Sequence, residues 1–437
     1  MPQRGIIAAL LVCLFPLFPT SLAARDPQGP EAPAGDWSDE ALDSLLLGDS
    51  ALDLEAALRD SQDPPTSETN DPEPTAENQL SDAELEALTE ELLEEFSLPL
   101  WQREITITPG IGYSDNALLT HAQEAGSGYL STELELMLFR MPGDSGARFF
   151  TYALLDHRRY FDVEDLEEET LALLQVLNEQ PLGPRWTLHT SALGLYNDEV
   201  FGLSPVEDEI IASPVTVSQG SVKTGLFFQS NSTTSLELLL QVDRIAFRER
   251  DDDYWQPGLT TRVRWEGNHS RITAGIDWQT RDYDDREQQE PDGSTLPGSS
   301  LQTQLLEPYF SCQFETPGDS PWEWGARVAF RQQDDNGPGY HDSQRWKLKA
   351  WLEHGQGPWS WELSAVSTFL QYDHRTVSNL DSRRYEITQL KASARAAYQF
   401  SPNVDLLLDY FWEEAQSTRP LDSYASHNLR FSTRFRF

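Results

Sequence analysis

The last nine residues of the chain alternate strictly between apolar and polar side chains. One parity carries Leu429, Phe431, Thr433, Phe435 and Phe437, and the other carries Arg430, Ser432, Arg434 and Arg436. Alternate side chains of a β-strand point to opposite faces, so this segment predicts one apolar and one cationic face. A soluble sandwich strand rarely has three arginines on its second face and then ends on Phe. A strand that crosses a bilayer, with lipid on one side and water on the other, accommodates both faces.

A carboxyl-terminal Phe that ends an alternating strand resembles the closing strand of Gram-negative outer-membrane β-barrels. In that family the closing strand is read by the periplasmic barrel-insertion machinery, and the resemblance implies that Phe437 is an insertion signal. The opening strand, with Tyr113, Asp115 and Asn116, resembles the first strand of porin-like barrels that read Tyr-x-Asp-Asn after an aromatic strand end. Some of those barrels accompany exopolysaccharide export.

The first 24 residues have the composition of a secretory signal peptide. Arg4 precedes an apolar run from Ile6 to Phe18, and small residues follow at Ser21, Ala23 and Ala24. A membrane anchor is the weaker alternative, because the apolar run is short and an acidic segment follows it. Removal of the signal would take Cys13 with it and leave Cys312 as the one mature cysteine, which excludes an intramolecular disulfide.

Residues 25–100 form an acidic segment that differs in composition from everything after it. The segment holds 22 Asp and Glu against two Arg, a net charge of −20 out of −40 for the whole chain. Such acidity argues against nucleic acid as a partner. Leucine spacing predicts two short amphipathic helices, Asp39–Leu58 and Asp82–Phe96, and Ser81 with Glu84 forms a capping box for the second. Two interpretations stay open: a solvated periplasmic tail, or helices that dock on a periplasmic partner or on the barrel's own mouth.

From Trp101 onward, alternating apolar residues broken by turn residues predict an all-β fold, a closed antiparallel barrel of sixteen strands. Short turns follow every even strand and longer, acidic connections such as Asp373–Arg383 mostly follow the odd ones, which places both termini in the periplasm. Residues Leu166–Asn178 have a spacing that also suits a helix, which would reduce the count to fourteen. A parity change between Val242 and Ile245 predicts a β-bulge.

The strand pattern assigns an apolar outer face and a charged inner face. The outer face is expected to hold leucines such as Leu136, Leu238 and Leu240, with tryptophans near the strand ends. Charged residues would cost several kcal/mol each in lipid and must therefore face water or each other. The residues predicted to line the pore are Arg262, Arg264, Arg271, Arg327, Arg331, Lys347, Lys349, Lys391, Arg395, Arg430, Arg434, Glu133, Glu135, Asp405 and Asp409. Either these charges pair across strands and rigidify the wall, or they orient and filter solutes.

Sequence motifs for catalysis or for metal binding are missing, so we predict no enzymatic activity, cofactor or metal site. His157 with Asp156 is the best remaining candidate for a catalytic pair. The sequence therefore predicts a passive porin-like channel for small polar or anionic solutes in the outer membrane, with its acidic periplasmic extension as the candidate gate. The alternatives are a component of exopolysaccharide export or envelope assembly, and an outer-membrane hydrolase. The expected partners are outer-membrane lipid and lipopolysaccharide, the insertion machinery, and a periplasmic protein that binds residues 25–100.

Overall fold

The computed structural model describes residues 101–119, 125–140, 146–163, 166–201, 213–248, 252–317, 322–378 and 381–437. The predicted signal peptide (1–24) and acidic extension (25–100) lie outside the described residues. Sixteen strands form one closed antiparallel barrel in which each strand pairs with its neighbours in sequence and the last pairs with the first. The strands are β1 (Trp101–Ser114), β2 (Ser127–Arg140), β3 (Arg148–Tyr160), β4 (Glu168–Pro181), β5 (Trp186–Phe201), β6 (Ser213–Gln229), β7 (Thr234–Phe247), β8 (Tyr254–Gly267), β9 (Ser270–Tyr283), β10 (Gln302–Glu315), β11 (Trp322–Asp335), β12 (Ser343–Gln356), β13 (Trp359–Ser378), β14 (Asp381–Ser401), β15 (Val404–Ser417) and β16 (Tyr424–Arg436).

The predicted closed barrel and the count of sixteen strands are confirmed, and the fourteen-strand alternative is wrong. Residues 168–181 form β4, which pairs along its length with β3 and β5. The helix-like spacing arose because this strand is apolar on both faces. Leu171 and Leu173 point inward and are buried, whereas Leu174 points outward and is exposed. A strand with leucines on both faces loses the period of two that distinguishes strands from helices.

The predicted bulge in β7 is also wrong. The pairing of β7 with β6 and β8 runs without a register shift from Ser235 through Ile245. The strand stays regular, and what changes there is the kind of side chain on the outer face. Val242 still points outward. Arg244, the next residue on the outer face, lies near the end of the strand and pairs with Asp253 at 3.1 Å and Asp284 at 2.6 Å.

Connections at the two ends of the barrel differ in length as expected, with one correction. At the end that holds Trp101 and Phe437, tight turns such as Pro402–Asn403 join neighbouring strands, while the opposite end holds the 284–301 connection. The predicted loop Asp373–Arg383 is largely strand: β13 and β14 have 20 and 21 residues and stay paired out to Ser378 and Asp381, after register shifts beyond Gln371. The turn residues in this segment predicted a loop, but the backbone pairing between these two long strands continues through it.

The outer surface of the barrel carries a belt of exposed apolar side chains at mid-strand. Leu240 on β7 is 59% exposed and Ile276 on β9 is 52% exposed. Exposed tryptophans flank the belt near both ends of the strands: Trp101, Trp186, Trp265, Trp322, Trp324, Trp359 and Trp361 at the end with the termini, and Trp255, Trp278 and Trp346 nearer the other. An apolar band between two aromatic girdles is the surface that a bilayer-spanning barrel presents to lipid. Among the described residues, no helix is long and apolar enough to cross a membrane.

Inward-facing glycines let neighbouring backbones and rings approach closely. Gly225 on β6 is the tightest, because a Cβ atom there would lie 2.1 Å from the backbone oxygen of Leu238. We expect Gly225→Ala to lower the free energy of unfolding by about 1–3 kcal/mol, since the overpacked atom meets backbone that cannot rotate away. Urea titration of the barrel in phospholipid vesicles measures this loss.

The control for this substitution is Gly220→Ala on the same strand. A Cβ at Gly220 meets nothing within 4 Å. This variant is expected to stay within about 0.5 kcal/mol of the parent. Equal losses in the two variants would mean that strand flexibility, and not the close approach of β6 and β7, sets the requirement for glycine.

Candidate functional site: the barrel interior

All fifteen residues predicted to line the pore lie on the inward parity of their strands, opposite the apolar belt. Seven of them are buried: Arg262, Arg264, Arg331, Arg430, Arg434, Asp405 and Asp409. The other eight are half-buried: Arg271, Arg327, Lys347, Lys349, Lys391, Arg395, Glu133 and Glu135. The predicted insertion signal, Phe437, lies 72% exposed at the end of the barrel that holds both termini.

One ion-pair network closes the barrel where the first and last strands meet. Asp409 on β15 accepts hydrogen bonds from Arg395 on β14 at 2.6 Å and from Arg430 on β16 at 3.0 Å. Arg430 also lies 3.7 Å from Glu133 on β2. That contact reaches over β1, where Gly110 has no side chain and Ser131 and Ser432 close over its backbone. Three charge contacts therefore link β14 to β2 across four strand boundaries, the seam among them.

Five basic side chains concentrate on two adjacent strands, β11 and β12. We call this set the basic wall: Arg327, Arg331, Arg345, Lys347 and Lys349. Arg331 is directly opposite Arg345, and Arg327 is directly opposite Lys349. Like charges in directly opposite positions are unfavourable unless something compensates them. Glu307 on β10 does so for one pair, accepting from Arg331 Nε at 2.6 Å and from Arg345 Nη2 at 3.3 Å.

Aromatic rings hold other members of the basic wall in place. The guanidinium of Arg327 lies 4.1 Å from the ring centre of Tyr309, and the ammonium of Lys349 lies 5.8 Å from that of Trp351. Cation–π contacts of this kind stabilise a cation without cancelling its charge. Glu323 and Glu353, directly opposite each other on the same strands, offset part of the positive charge. The net character of this wall remains basic.

Sequence reasoning missed a buried histidine in the interior. His189 on β5 lies with Nε2 3.5 Å from Glu179 and Nδ1 3.3 Å from Glu237, and its ring stacks on Phe227. Glu237 in turn pairs with Arg262 on β8. Only the pairing of β4 through β8 brings these residues together, since their positions in the sequence carry no common spacing.

The interior is not polar throughout, which the sequence did not predict. A group of apolar residues on β2–β5 packs together on the inner face of the wall. We call it the interior apolar strip: buried Phe150, Tyr152, Leu154, Leu171, Leu173 and Leu195, with half-buried Met137, Phe139, Leu177 and Leu193. It begins at the end of the barrel that holds the termini, because Phe139 is directly opposite Gln102 at the start of β1.

The interior apolar strip and the basic wall lie on opposite sides of the barrel. In the closed ring of sixteen strands, β11 is eight strands from β3 in either direction, and β12 is eight strands from β4. The interior therefore has one apolar side and one cationic side. A small cavity of about 50 Å³ adjoins the charged seam, lined by residues that include Tyr129, Arg158, Glu362, Lys391, Arg395 and Arg430.

The residues considered for catalysis are not brought together. Asp156 is buried inside the barrel and accepts a hydrogen bond from Arg158 at 3.2 Å, whereas His157 points outward and lies 3.0 Å from the Thr170 hydroxyl. Adjacent residues of a strand face opposite sides, so the two cannot form a catalytic pair. Within the described ranges, no group of three or more His, Cys, Asp or Glu side chains is placed to hold a metal ion.

The fold is a closed antiparallel barrel with an apolar outer belt, the form that outer-membrane β-barrels take. No protein-family model matches the sequence, and no curated protein matches it. Among solved structures, the chain is similar to OccAB3 of Acinetobacter baumannii (8% identity, TM-score 0.42, covering 77% of this chain and 99% of that one). It is also similar to an anion-selective porin from Comamonas acidovorans (9% identity, TM-score 0.40, 77% and 99%). A bacterial polysaccharide outer membrane secretin is a third similar structure (13% identity, TM-score 0.38, 77% and 98%).

Proposed function

We propose that this protein is an integral outer-membrane channel for the passive diffusion of small polar or anionic solutes. The observation that carries the proposal is the pairing of an exposed apolar belt outside with a charged, cavity-containing interior. Sixteen-strand barrels are wide enough for an aqueous passage. The fifteen inward residues named above would line it, and Phe437 would serve as the insertion signal. The acidic extension, residues 25–100, would lie in the periplasm and regulate access to the passage.

The basic wall supports a preference for anions. Rings and rows of like charge at a constriction select the opposite charge, because they raise the local concentration of counter-ions. Two lysines, Lys347 and Lys349, stand next to three arginines on β11 and β12. The ion-paired seam, with Arg430 between Asp409 and Glu133, would keep the wall rigid where β16 meets β1.

Single-channel recording in planar lipid bilayers tests the proposal. We expect steady, salt-dependent currents, and a reversal potential in a KCl gradient that indicates chloride preference. The double variant Lys347→Glu/Lys349→Glu should shift the reversal potential towards cation selectivity. Arg383→Glu is the matched control, because Arg383 is an exposed side chain at the start of β14 and should leave selectivity unchanged.

Deletion of residues 25–100 separates a closed channel from a barrel with another role. A full-length protein that is silent and a deletion variant that conducts would support gating by the extension. Silence of both proteins would contradict the channel and favour a component of polysaccharide export or envelope assembly, in which the extension docks on a partner.

A further inference from the structure

We propose that the predicted helix Asp82–Phe96 docks inside the barrel, with its leucines on the interior apolar strip and its carboxylates towards the basic wall. This inference rests on one part of the proposed function, the place of the acidic extension beside the barrel, and names the part of the extension that would contact the interior. It is carried by three independent features: the apolar side of the interior, the opposite charged side, and the place where the described chain begins.

The first feature is the apolar match. Leu171, Leu173 and Leu154 are already buried by their neighbours, so the apolar surface that a helix can cover belongs to the half-buried members of the strip, Met137, Phe139, Leu177 and Leu193. A helix from Asp82 to Phe96 carries a complementary face, because Leu85, Leu88, Leu92 and Phe96 recur at the spacing of three and four residues that places side chains on one side. The strip and this face are both dominated by leucine and aromatic residues.

The second feature is the charge match across the barrel. The segment 82–96 contains seven Asp and Glu residues and no Lys or Arg. At the helical period of 100° per residue, Glu86, Glu90 and Glu94 fall on the side opposite Leu88 and Leu92. The basic wall is eight strands from the centre of the strip, so a helix with its leucines on the strip would turn these carboxylates towards five cations.

The third feature is reach. Only residues 97–100 separate Phe96 from Trp101, the first residue of β1. Four extended residues span at most about 14 Å. Trp101 is directly opposite Arg140 of β2, one position from Phe139, where the strip begins. A short linker therefore delivers the helix to the near end of the strip. A helix with side chains is about 10–12 Å across, which suits a barrel of this strand number.

Disulfide trapping in the full-length protein tests the docking. In a Cys312→Ser background, we expect Leu88→Cys with Leu173→Cys to cross-link severalfold more than two matched pairs. Glu90→Cys with Leu173→Cys tests the other face of the helix against the same wall. Leu88→Cys with Ala329→Cys tests the same helix face against the basic-wall side, where Ala329 is inward-facing and buried on β11. Gel migration of unheated samples reports folding, and Leu193→Cys replaces Leu173→Cys if that variant does not fold.

Each outcome decides the proposal. Cross-linking that is equal in all three pairs, or missing from the Leu88 and strip pair in a folded barrel, would overturn it. Leu45→Cys, in the first predicted helix, tests the other candidate segment. If it cross-links to Leu173→Cys more than Leu88→Cys does, the strip binds that helix and the proposal is wrong.

Conductance separates this inference from the proposed channel. If deletion of residues 25–100 leaves a conducting barrel but no pair cross-links, the channel stands and the docking falls. If the pair cross-links but neither protein conducts, the docking stands and the channel falls.

Discussion

Replacing Glu307 by Ala should lower the free energy of unfolding by about 3–5 kcal/mol, the cost of removing one partner from a buried ion pair. Glu307 is 5% exposed and accepts hydrogen bonds from Arg331 and Arg345, which are directly opposite each other on β11 and β12. Without the carboxylate, two guanidinium groups face each other on the same wall. Urea titration in phospholipid vesicles, with tryptophan fluorescence as the signal, measures the loss.

Two further variants show whether charge is responsible. Glu315→Ala, at the exposed end of the same strand, should change the free energy of unfolding by less than about 0.5 kcal/mol. The double variant Glu307→Ala/Arg331→Ala should recover part of the loss, because one of the two opposed cations is gone. A loss below about 1 kcal/mol in Glu307→Ala would show that lumen water solvates both arginines, as exposed pairs of this kind contribute little.

Replacing Leu240 by Arg should also destabilise the barrel strongly, by about 2–4 kcal/mol, the cost of a cation on the lipid face near the bilayer midplane. Leu240 occupies the middle of β7, is 59% exposed and lies directly opposite the outward residues Leu259 and Thr224. In water such an exposed position would tolerate arginine easily. The same urea titration, performed in vesicles, measures the difference.

Leu421→Arg is the matched control for this substitution. Leu421 is 67% exposed, but it lies in the short helical turn between β15 and β16 at the end opposite the termini. We expect no more than about 0.5 kcal/mol of change there. Equal tolerance of arginine at both positions would contradict a lipid-facing belt and, with it, the membrane-spanning role of the barrel.

The sequence alone was sufficient for the closed-barrel class, the strand direction and the parity of most side chains. These properties depend on short-range information: the period of two along a strand, as in Leu429–Phe437, and turn residues such as Pro402 and Asn403. The inward placement of the charged residues follows from the same alternation, because a charge on the lipid face is costly.

Only the tertiary structure decided what the inward faces meet. The interior apolar strip draws residues from β2 to β5, and the position of the basic wall opposite it depends on closure into a ring of sixteen strands. The same holds for His189 between Glu179 and Glu237, and for the strand character of β4, whose two leucine-bearing faces hide its period. The alternation of apolar and polar residues along a strand determines which face of the sheet each side chain occupies. Its neighbours on adjacent strands and across the lumen depend on strand register and on barrel closure. These are properties of the whole barrel and are not encoded in any one segment.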